Sequence, residues 1–582
     1  MMRFISAVLL CWTSIAAFAV EPADRFPKQT CLFVAISNYK TFEEKLGTTS
    51  IGRLWSSESM QAFRKEFDER QQGVLGQLRS AYGIDSNLLH QHADGGFVVG
   101  GVKTSDDEIS LTFLIELESA SAKAMMATAG KNLKDIGATR SQTEFPIDAT
   151  IYQMPDGQQV VHAVHDGYLL ISGDVAVAKE MIDRWGKQAK DESLSSLPSF
   201  QAIAATPPRD GDADLFWFAD VIQIAVLSDD AETKQALAAD GRDPFPMRHG
   251  FPGIKAMGGY GFLKEDGFDF LNDIQVFAPK PRVAALQALD FVTGDLTPPP
   301  FVLSTGNNMM VNRWNLTSLI SNLGDVYDDV TDAPGAWEAT LADWKSDLGF
   351  DLIGGLLPML QSEVVSYGDF LDDNRQERTL ISIPIDNPKA QEIRVASLIY
   401  RFLRGDSNAV RSRIPPHRYD LWEIAMQDKL GNATFTRAGV MVADGRLWLA
   451  THASMIRDAL LQGGETPLAN SSVYSDMQDR MKAWKGERSF MQGLVHGDRD
   501  IRNTYETLRA DGLEGLRRAE SLYGNALLML LGGDDDKPQP TTDFSKLPPF
   551  EEVREYFGML ANVGNITDHG WTIVVGAYDR PE

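Results

Sequence analysis

The residues whose spacing comes closest to a catalytic signature lie in a short run near position 90. His90, His92 and Asp94 alternate with other residues, and closely spaced imidazoles with a carboxylate are typical ligands of hydrolytic zinc sites. The zinc signature would continue with another histidine, but Gly95 follows instead. A catalytic zinc ion needs about three protein ligands and an open position. We therefore interpret the run as a polar turn after a helix.

Two other histidines, His162 and His165, lie in an apolar segment with strand character. Side chains alternate between the two faces of a strand, so imidazoles three positions apart point to opposite sides and cannot share one ion. We predict that these two histidines are buried or interfacial.

An acidic run only partly matches a calcium-binding loop. Asp210, Asp212 and Asp214 have the right spacing, but Leu215 stands where a glycine should make the sharp turn, and Val221 replaces the bidentate glutamate. We interpret the run as a solvated loop. Looser acidic groups whose spacing does not require calcium are formed by Asp325, Asp328, Asp329, Asp369, Asp372 and Asp373.

Other signatures of catalysis or cofactor binding are missing from the sequence. The glycine-rich residues 258–261 lead into a strand rather than a helix, which is not the context of a dinucleotide loop. The chain contains no nucleophile elbow, P-loop or zincin helix, although a serine triad assembled from distant positions stays open. We predict no catalytic, cofactor-binding or metal-binding residues and no cofactor.

The composition is that of a globular protein. The chain has 582 residues, 43% of them hydrophobic and 23% charged, with Lys+Arg 55 against Asp+Glu 81 and a formal net charge of −26. This length suggests about four domain-sized units. An acidic surface repels phosphates, so nucleic acid and anionic lipid head groups are disfavoured as partners.

The N-terminus predicts export. Arg3 precedes an apolar run over residues 4–12, and small residues at Ala17 and Ala19 fit a cleavage site, so residues 1–19 are interpreted as a signal peptide. An uncleaved anchor is the alternative. Cleavage would leave Cys31 as the sole cysteine, in an apolar segment typical of a buried, inert thiol. We expect no membrane-spanning segment after the signal.

Short segments recur in the same order in the two halves of the chain. Residues 32–34 resemble 300–302, and the Asp-Gly-Tyr-Leu segment 166–169 resembles the Asp-Gly-Arg-Leu segment 444–447. The spacing between matched segments changes little along the chain. An ordered series of this kind favours two tandem, related modules.

Proline clusters on either side of residue 290 mark the boundary between the modules. We predict module 1 at residues 25–285, a Pro-rich linker at 286–299, and module 2 at 300–582. Pro-rich chain is stiff and extended, which suits a connector. Within module 2 we interpret residues 532–540 as a solvated loop.

Each module predicts an α+β fold of antiparallel sheet and helices. Apolar segments separated by Asp-Gly turns indicate a three-stranded meander at residues 149–154, 158–165 and 168–172, followed by a helix at 175–185. We expect helices to pack on one face of each sheet, with the other face left for a partner. The corresponding elements of module 2 are expected at residues 419–425, 434–443, 446–451 and 454–461.

Several segments look familiar as a set. Residues 32–36, 49–55, 60–63, 166–172 and 547–558 resemble a family of large secreted proteins of unknown function that is abundant in planctomycete bacteria. The resemblance covers most of the chain and implies secretion and a repeated architecture. The family has no assigned activity, so the resemblance implies no catalytic residue.

These observations favour an exported protein of the periplasm or cell envelope that acts as a non-enzymatic binding or scaffold module. Its partner would be a protein or a component of the envelope. Two alternatives stay open: a secreted hydrolase that uses a carboxylate pair or a divalent metal ion, and a carrier of an apolar ligand.

Overall fold

The computed structural model describes most of the chain. The described residues are 20–70, 74–104, 108–141, 145–185, 192–205, 213–228, 237, 241–371, 376–427, 433–461, 466–519 and 542–579. The predicted signal peptide at 1–19 and the predicted loop at 532–540 lie outside the described residues.

Twenty strands form one large sheet whose neighbouring strands are all antiparallel. The first ten strands are β1 Thr30–Ile36, β2 Phe97–Lys103, β3 Ile109–Glu116, β4 Thr139–Ser141, β5 Asp148–Gln153, β6 Gln159–His165, β7 Tyr168–Ser172, β8 Leu215–Ala219, β9 Ala256–Glu265 and β10 Phe268–Phe277. The second ten are β11 Asn308–Arg313, β12 Glu363–Leu371, β13 Gln376–Pro384, β14 Ala409–Ser412, β15 Leu421–Gln427, β16 Ala433–Ala443, β17 Arg446–Ala450, β18 Ser489–His496, β19 Met559–Thr567 and β20 Gly570–Tyr578.

Helices fill the connections between these strands. In the first half they are α1 Val20–Ala23, α2 Tyr39–Thr48, α3 Ser50–Ser56, α4 Gln61–Arg70, α5 Val74–Tyr82, α6 Ser86–His92, α7 Ser119–Asp135, α8 Val175–Arg184, α9 Pro198–Ala204 and α10 Val221–Ser228. In the second half they are α11 Leu316–Ser321, α12 Gly324–Val330, α13 Ala336–Asp347, α14 Pro388–Leu403, α15 Ala453–Leu461, α16 Ser472–Met481, α17 Gly497–Asp500, α18 Arg502–Ala519 and α19 Phe550–Val553. The predicted α+β class is confirmed.

Strand pairing follows the same order in both halves of the chain. The first ten strands pair in the order β4-β5-β6-β7-β3-β2-β1-β8-β9-β10. The second ten pair in the order β14-β15-β16-β17-β13-β12-β11-β18-β19-β20. One of the predicted sequence matches is wrong, because residues 32–34 lie in β1 whereas residues 300–302 precede β11.

The predicted meander is confirmed, and its turns have a local cause. Asp166 and Gly167 have φ of 46° and 79° between β6 and β7, and Asp444 and Gly445 have φ of 52° and 72° between β16 and β17. A two-residue hairpin turn of this hand needs positive φ at both positions, which Asp and Gly tolerate best. The two Asp-Gly pairs therefore fix equivalent hairpins.

The two ten-stranded runs join edge to edge through β10 and β20, and we call this junction the seam. Asp273 pairs with Val574 at its middle, and the pairing runs from Phe270 opposite Ala577 to Phe277 opposite Gly570. The two runs of strands thus form one continuous sheet. Each edge strand covers the exposed backbone groups of the other.

Helices pack on both faces of the first half of the sheet, so the prediction of helices on one face is wrong. On one face Phe33 lies in a buried cluster with Met181 of α8 and Phe200 of α9. On the other face Val34 lies in a cluster with Met125 of α7. The apolar run at residues 31–36 of β1 is the reason, because consecutive apolar side chains point to both faces of a strand and need cover on both sides.

The predicted linker at residues 286–299 is packed rather than extended. Residues Ala284–Ala288 form a 3-10 helix, and Leu286 is only 1% exposed. Farther along, the ring of Phe291 stacks on Phe490 with centroids 4.1 Å apart. Apolar side chains between the prolines anchor this segment against β18 and β20.

Among the helices of the described residues, none combines the length and the apolar character that crossing a membrane requires.

Candidate functional site

A largely apolar cavity of about 460 Å³ opens at one end of the seam. Both halves of the chain contribute to it: α2, α3, β9 and β10 from the first, and the segments around α17, β19 and β20 from the second. Its lining consists of Phe42, Leu46, Thr49, Ser50, Ile51, Leu263, Asp269, Phe270, Gly497, Ile501, Tyr556, Phe557, Gly558, Met559, Leu560, Ala577 and Tyr578.

Local capping positions the first-half wall of the cavity. The side chain of Asn38 accepts a hydrogen bond from the backbone of Thr41 at 2.8 Å and begins α2. Thr49 ends α2 and also begins α3, because its hydroxyl accepts a bond from the backbone of Gly52 at 3.1 Å. Cap residues of this kind satisfy the free N–H groups at a helix start. The turn at Thr49 therefore brings both helices to the cavity.

Polar side chains meet at the cavity rim and tie the two halves together. The backbone N–H of Ser50 donates to Asp269 at 2.8 Å, and the Ser50 hydroxyl contacts both Asp269 and Asp579, the latter at 2.7 Å. Lys264 forms an ion pair with Asp269, and Arg53 donates to Asp579 at 3.2 Å. Two carboxylates and two cations thus balance each other around one serine.

This cluster is built for structure rather than for proton transfer. Burial alone would raise the pKa of Asp269, but hydrogen bonds from Lys264 and Ser50 outweigh it and hold the pKa below its ordinary value. A general acid or base works best with a pKa near the operating pH. An ionised Asp269 that is saturated with donors fits a fixed tie between α3 and β10.

The opposite end of the seam is filled by the chain itself. There Val276 and Trp571 pack against Leu286 and Phe291 of the linker segment. The strand register relates the two ends, since Phe270 and Ala577 border one end and Phe277 and Gly570 the other. Among the described residues, no equivalent segment fills the cavity end.

The run near position 90 does not assemble a metal site in the described part of the chain. His90 and His92 lie in the last turn of α6, and His90 Nδ1 contacts Glu43 Oε2 at 2.7 Å on the surface. No group of three or more His, Cys, Asp or Glu side chains in the described residues is arranged to hold a metal ion.

The predicted acidic calcium loop is only partly within the described residues. Asp210 and Asp212 lie outside them, whereas Asp214 is buried. Asp214 forms an ion pair with Lys45 at 2.6 Å and accepts a bond from the backbone of Leu263 at 2.8 Å. Its carboxylate therefore connects α2 to β9.

The remaining acidic groups mostly serve turns and ion pairs. Asp328 accepts bonds from the backbone N–H groups of Gly335 at 2.6 Å and Trp337 at 2.7 Å, and Asp329 pairs with Arg248 and His249. Asp372 and Asp373 lie outside the described residues.

Cys31 is completely buried in β1, as its apolar neighbours predict. Burial is the main cause that raises its pKa to about 12. A thiol with so high a pKa contains almost no thiolate at neutral pH, which disfavours Cys31 as a nucleophile.

His162 and His165 take the separate positions that strand alternation predicts. His162 is completely buried, and its Nε2 lies 3.0 Å from the carbonyl oxygen of Tyr82. Burial lowers the pKa of His162 to about 4. His165 is partly exposed and lies 3.2 Å from Asp166.

The buried imidazole predicts a loss of stability in mild acid. In the unfolded chain His162 is protonated below about pH 6.5, whereas in the folded chain it is protonated only below about pH 4. Because the unfolded state binds more protons between these values, the free energy of unfolding falls as the pH drops. The loss from this site should reach about 2 kcal/mol at pH 5. H162Q, which keeps an N–H donor but does not titrate, should flatten the dependence in urea unfolding between pH 7 and 5. H165Q is the matched control, and an equal effect of both variants would contradict this assignment.

Sequence reasoning did not identify the cavity. Its walls come from segments more than 200 residues apart, and nearly all of them are ordinary apolar residues. The feature that reveals the cavity is the exposure of apolar helix residues such as Leu46 and Ile51. This exposure is known only from the folded structure.

Comparisons of the chain with family models, with curated proteins and with solved structures returned no match.

Proposed function

We propose that the protein is a non-enzymatic binding protein whose seam cavity takes a neutral, apolar ligand. The observation that carries this proposal is the open apolar cavity of about 460 Å³ at one end of the seam, where the opposite end is filled by the chain's own side chains. Small-molecule sites are typically clefts of roughly 300–1,000 Å³ with apolar walls and a few polar groups.

Exposure of apolar side chains supports this reading. Ile51 is 59% exposed and Leu46 is 38% exposed, and both line the cavity. Removing such surface from water is favourable by about 25 cal/mol per Å² of apolar area. A ligand that covers these side chains would bury apolar surface at this end of the seam, as Leu286 and Phe291 do at the other end.

The charge balance of the rim favours a neutral ligand. Asp269 and Asp579 are already paired with Lys264 and Arg53, so none of these four groups is free to compensate an ionic head group. Moving an unpaired charge out of water is costly. An alcohol or amide group could still exchange hydrogen bonds with the Ser50 hydroxyl.

The setting of this activity is also part of the proposal. The identical strand order of the two halves supports a duplicated module, and the N-terminal sequence supports export to the periplasm or cell envelope. A carrier or scaffold that shields an apolar compound from water would be useful in such a compartment.

The proposal is tested with N-phenyl-1-naphthylamine, a neutral dye whose fluorescence rises in apolar surroundings. We expect saturable binding, displacement by a neutral long-chain alcohol, and at least tenfold weaker binding by I51D. Ile51 is exposed, so this variant should fold. A577W, which fills the cavity, is the second variant.

V330D is the matched control, because Val330 is 72% exposed and does not line the cavity. It should bind the dye like the unmodified protein. If the unmodified protein fails to bind the dye, or if I51D and a folded A577W bind it unchanged, the proposal is wrong.

A further inference from the structure

A second cleft, of about 390 Å³, lies at the far edge of the sheet in the second half and is rich in arginine. It is bordered by the C-terminal end of α14, the loop between β14 and β15, and β15 itself. We call it the arginine cleft. Its lining consists of Ala396, Ser397, Ile399, Tyr400, Arg401, Arg404, Arg413, Arg418, Tyr419, Asp420, Trp422 and Val442.

The charge of this cleft is opposite to that of the whole chain. Four arginines face one aspartate in a protein of net charge −26. Asp420 forms ion pairs with Arg413 at 3.2 Å and with the neighbouring Arg411 at 3.5 Å. Among the described residues, Arg401, Arg404 and Arg418 have no carboxylate within ion-pair distance. The cleft therefore carries uncompensated positive charge.

Helix electrostatics explains only part of this cluster. Arg401 and Arg404 lie at the end of α14, where cations offset the negative end of the helix dipole. Arg413 and Arg418 are not part of this helix and come from the loop between β14 and β15. Their convergence on the same cleft needs another explanation.

The cleft also has a firm aromatic floor. Trp422 is 6% exposed and Val442 is 2% exposed, so both are held by the core beneath. Tyr400 is 43% exposed and lies beside Trp422, with ring centroids 6.0 Å apart. Arg411 lies over both rings at 5.7 Å, and the exposed ring of Tyr400 beside the arginines suits a flat group with a charged substituent.

The two loop arginines, Arg413 and Arg418, have no basic counterpart in the sequence of the corresponding loop of the first half. The loop between β4 and β5 occupies the same place in the strand order, and the segment from Ser141 to Asp148 contains no basic residue. The arginines are thus not a requirement of the shared architecture.

From these observations we propose that the arginine cleft binds a small ligand that joins an oxyanion, such as a phosphate, sulfate or carboxylate group, to a flat ring. The guanidinium group presents a planar fork of donors that matches two oxyanion oxygens at once. A concave site of this size fits one small molecule. A long polyanion would be repelled by a chain of net charge −26.

Isothermal titration calorimetry with phenyl phosphate, inorganic phosphate, inorganic sulfate and phenol tests this proposal. We expect phenyl phosphate to bind most tightly, inorganic phosphate and sulfate more weakly, and phenol not to bind. The double variant R413Q/R418Q should weaken phenyl phosphate binding at least tenfold. Both arginines are exposed surface residues, so a thermal melt should confirm that the variant is folded.

R394Q is the matched control, because Arg394 lies on the same helix, is exposed and does not line the cleft. It removes one positive charge from outside the lining and should leave binding within about twofold, since salt screens exposed surface charges. Equal losses in the control and the double variant, or no binding of phenyl phosphate at millimolar concentration, would overturn the proposal. Dye binding at the seam cavity should be the same in all these variants, so the two proposals fail or succeed separately.

Discussion

Replacing Gly570 with alanine is expected to lower the free energy of unfolding by about 3 kcal/mol or more. Gly570 has a φ of 152° and pairs with Phe277 at the closed end of the seam. A Cβ atom built there would overlap the carbonyl oxygen of Val276, so the two edge strands would have to separate. Urea unfolding followed by tryptophan fluorescence measures the loss, and Trp571 next to the seam reports on it directly.

The control variant G157A distinguishes the stability lost through the steric clash from the stability lost through the backbone conformation. Gly157 also has a positive φ, of 92°, but a Cβ atom there meets nothing within 4 Å. Only the conformational cost remains, about 1 kcal/mol. If the two variants lose the same stability, close contact between β10 and β20 does not hold the seam together.

Replacing Arg378 with methionine should cost about 3–5 kcal/mol, because it breaks a buried ion pair from one side. Arg378 is 7% exposed and bonds Asp369 through two nitrogens, at 2.7 and 2.6 Å. It also donates to Ser454 at 2.7 Å and to Asp458 at 2.8 Å on α15. The arginine therefore fastens α15 to β12 and β13.

R488M is the control for this variant, because Arg488 pairs with Asp568 at 2.8 Å on the surface. Exposed ion pairs contribute about 0–1 kcal/mol, so R488M should change urea unfolding little. A second variant, D369L/R378M, should recover part of the loss, since it removes the carboxylate together with its partner. No difference between R378M and R488M would show that the buried network contributes nothing.

Much of the local structure could be predicted from the sequence because its causes are local. The Asp-Gly turns at 166–167 and 444–445 fixed two hairpins, and alternation separated His162 from His165. The apolar neighbours of Cys31 predicted its burial. The same apolar run indicates cover on both faces of the sheet, which the prediction of helices on one face did not include.

The two candidate binding sites differ in how readily each could be predicted from the sequence. The arginines of the cleft lie within a short stretch of an acidic chain, so charge patterning alone could have drawn attention to it. The seam cavity gave no such signal, because its apolar lining residues resemble core residues until their exposure is known.

The strands, their turns and the recurrence of similar segments follow from local sequence, since backbone preference and side-chain alternation act over a few residues. The pairing of β10 with β20, the filling of one end of the seam by the linker and the open cavity at the other end follow from the folded arrangement of distant segments. These outcomes depend on which distant edges meet, and the pattern within a single strand does not contain that information.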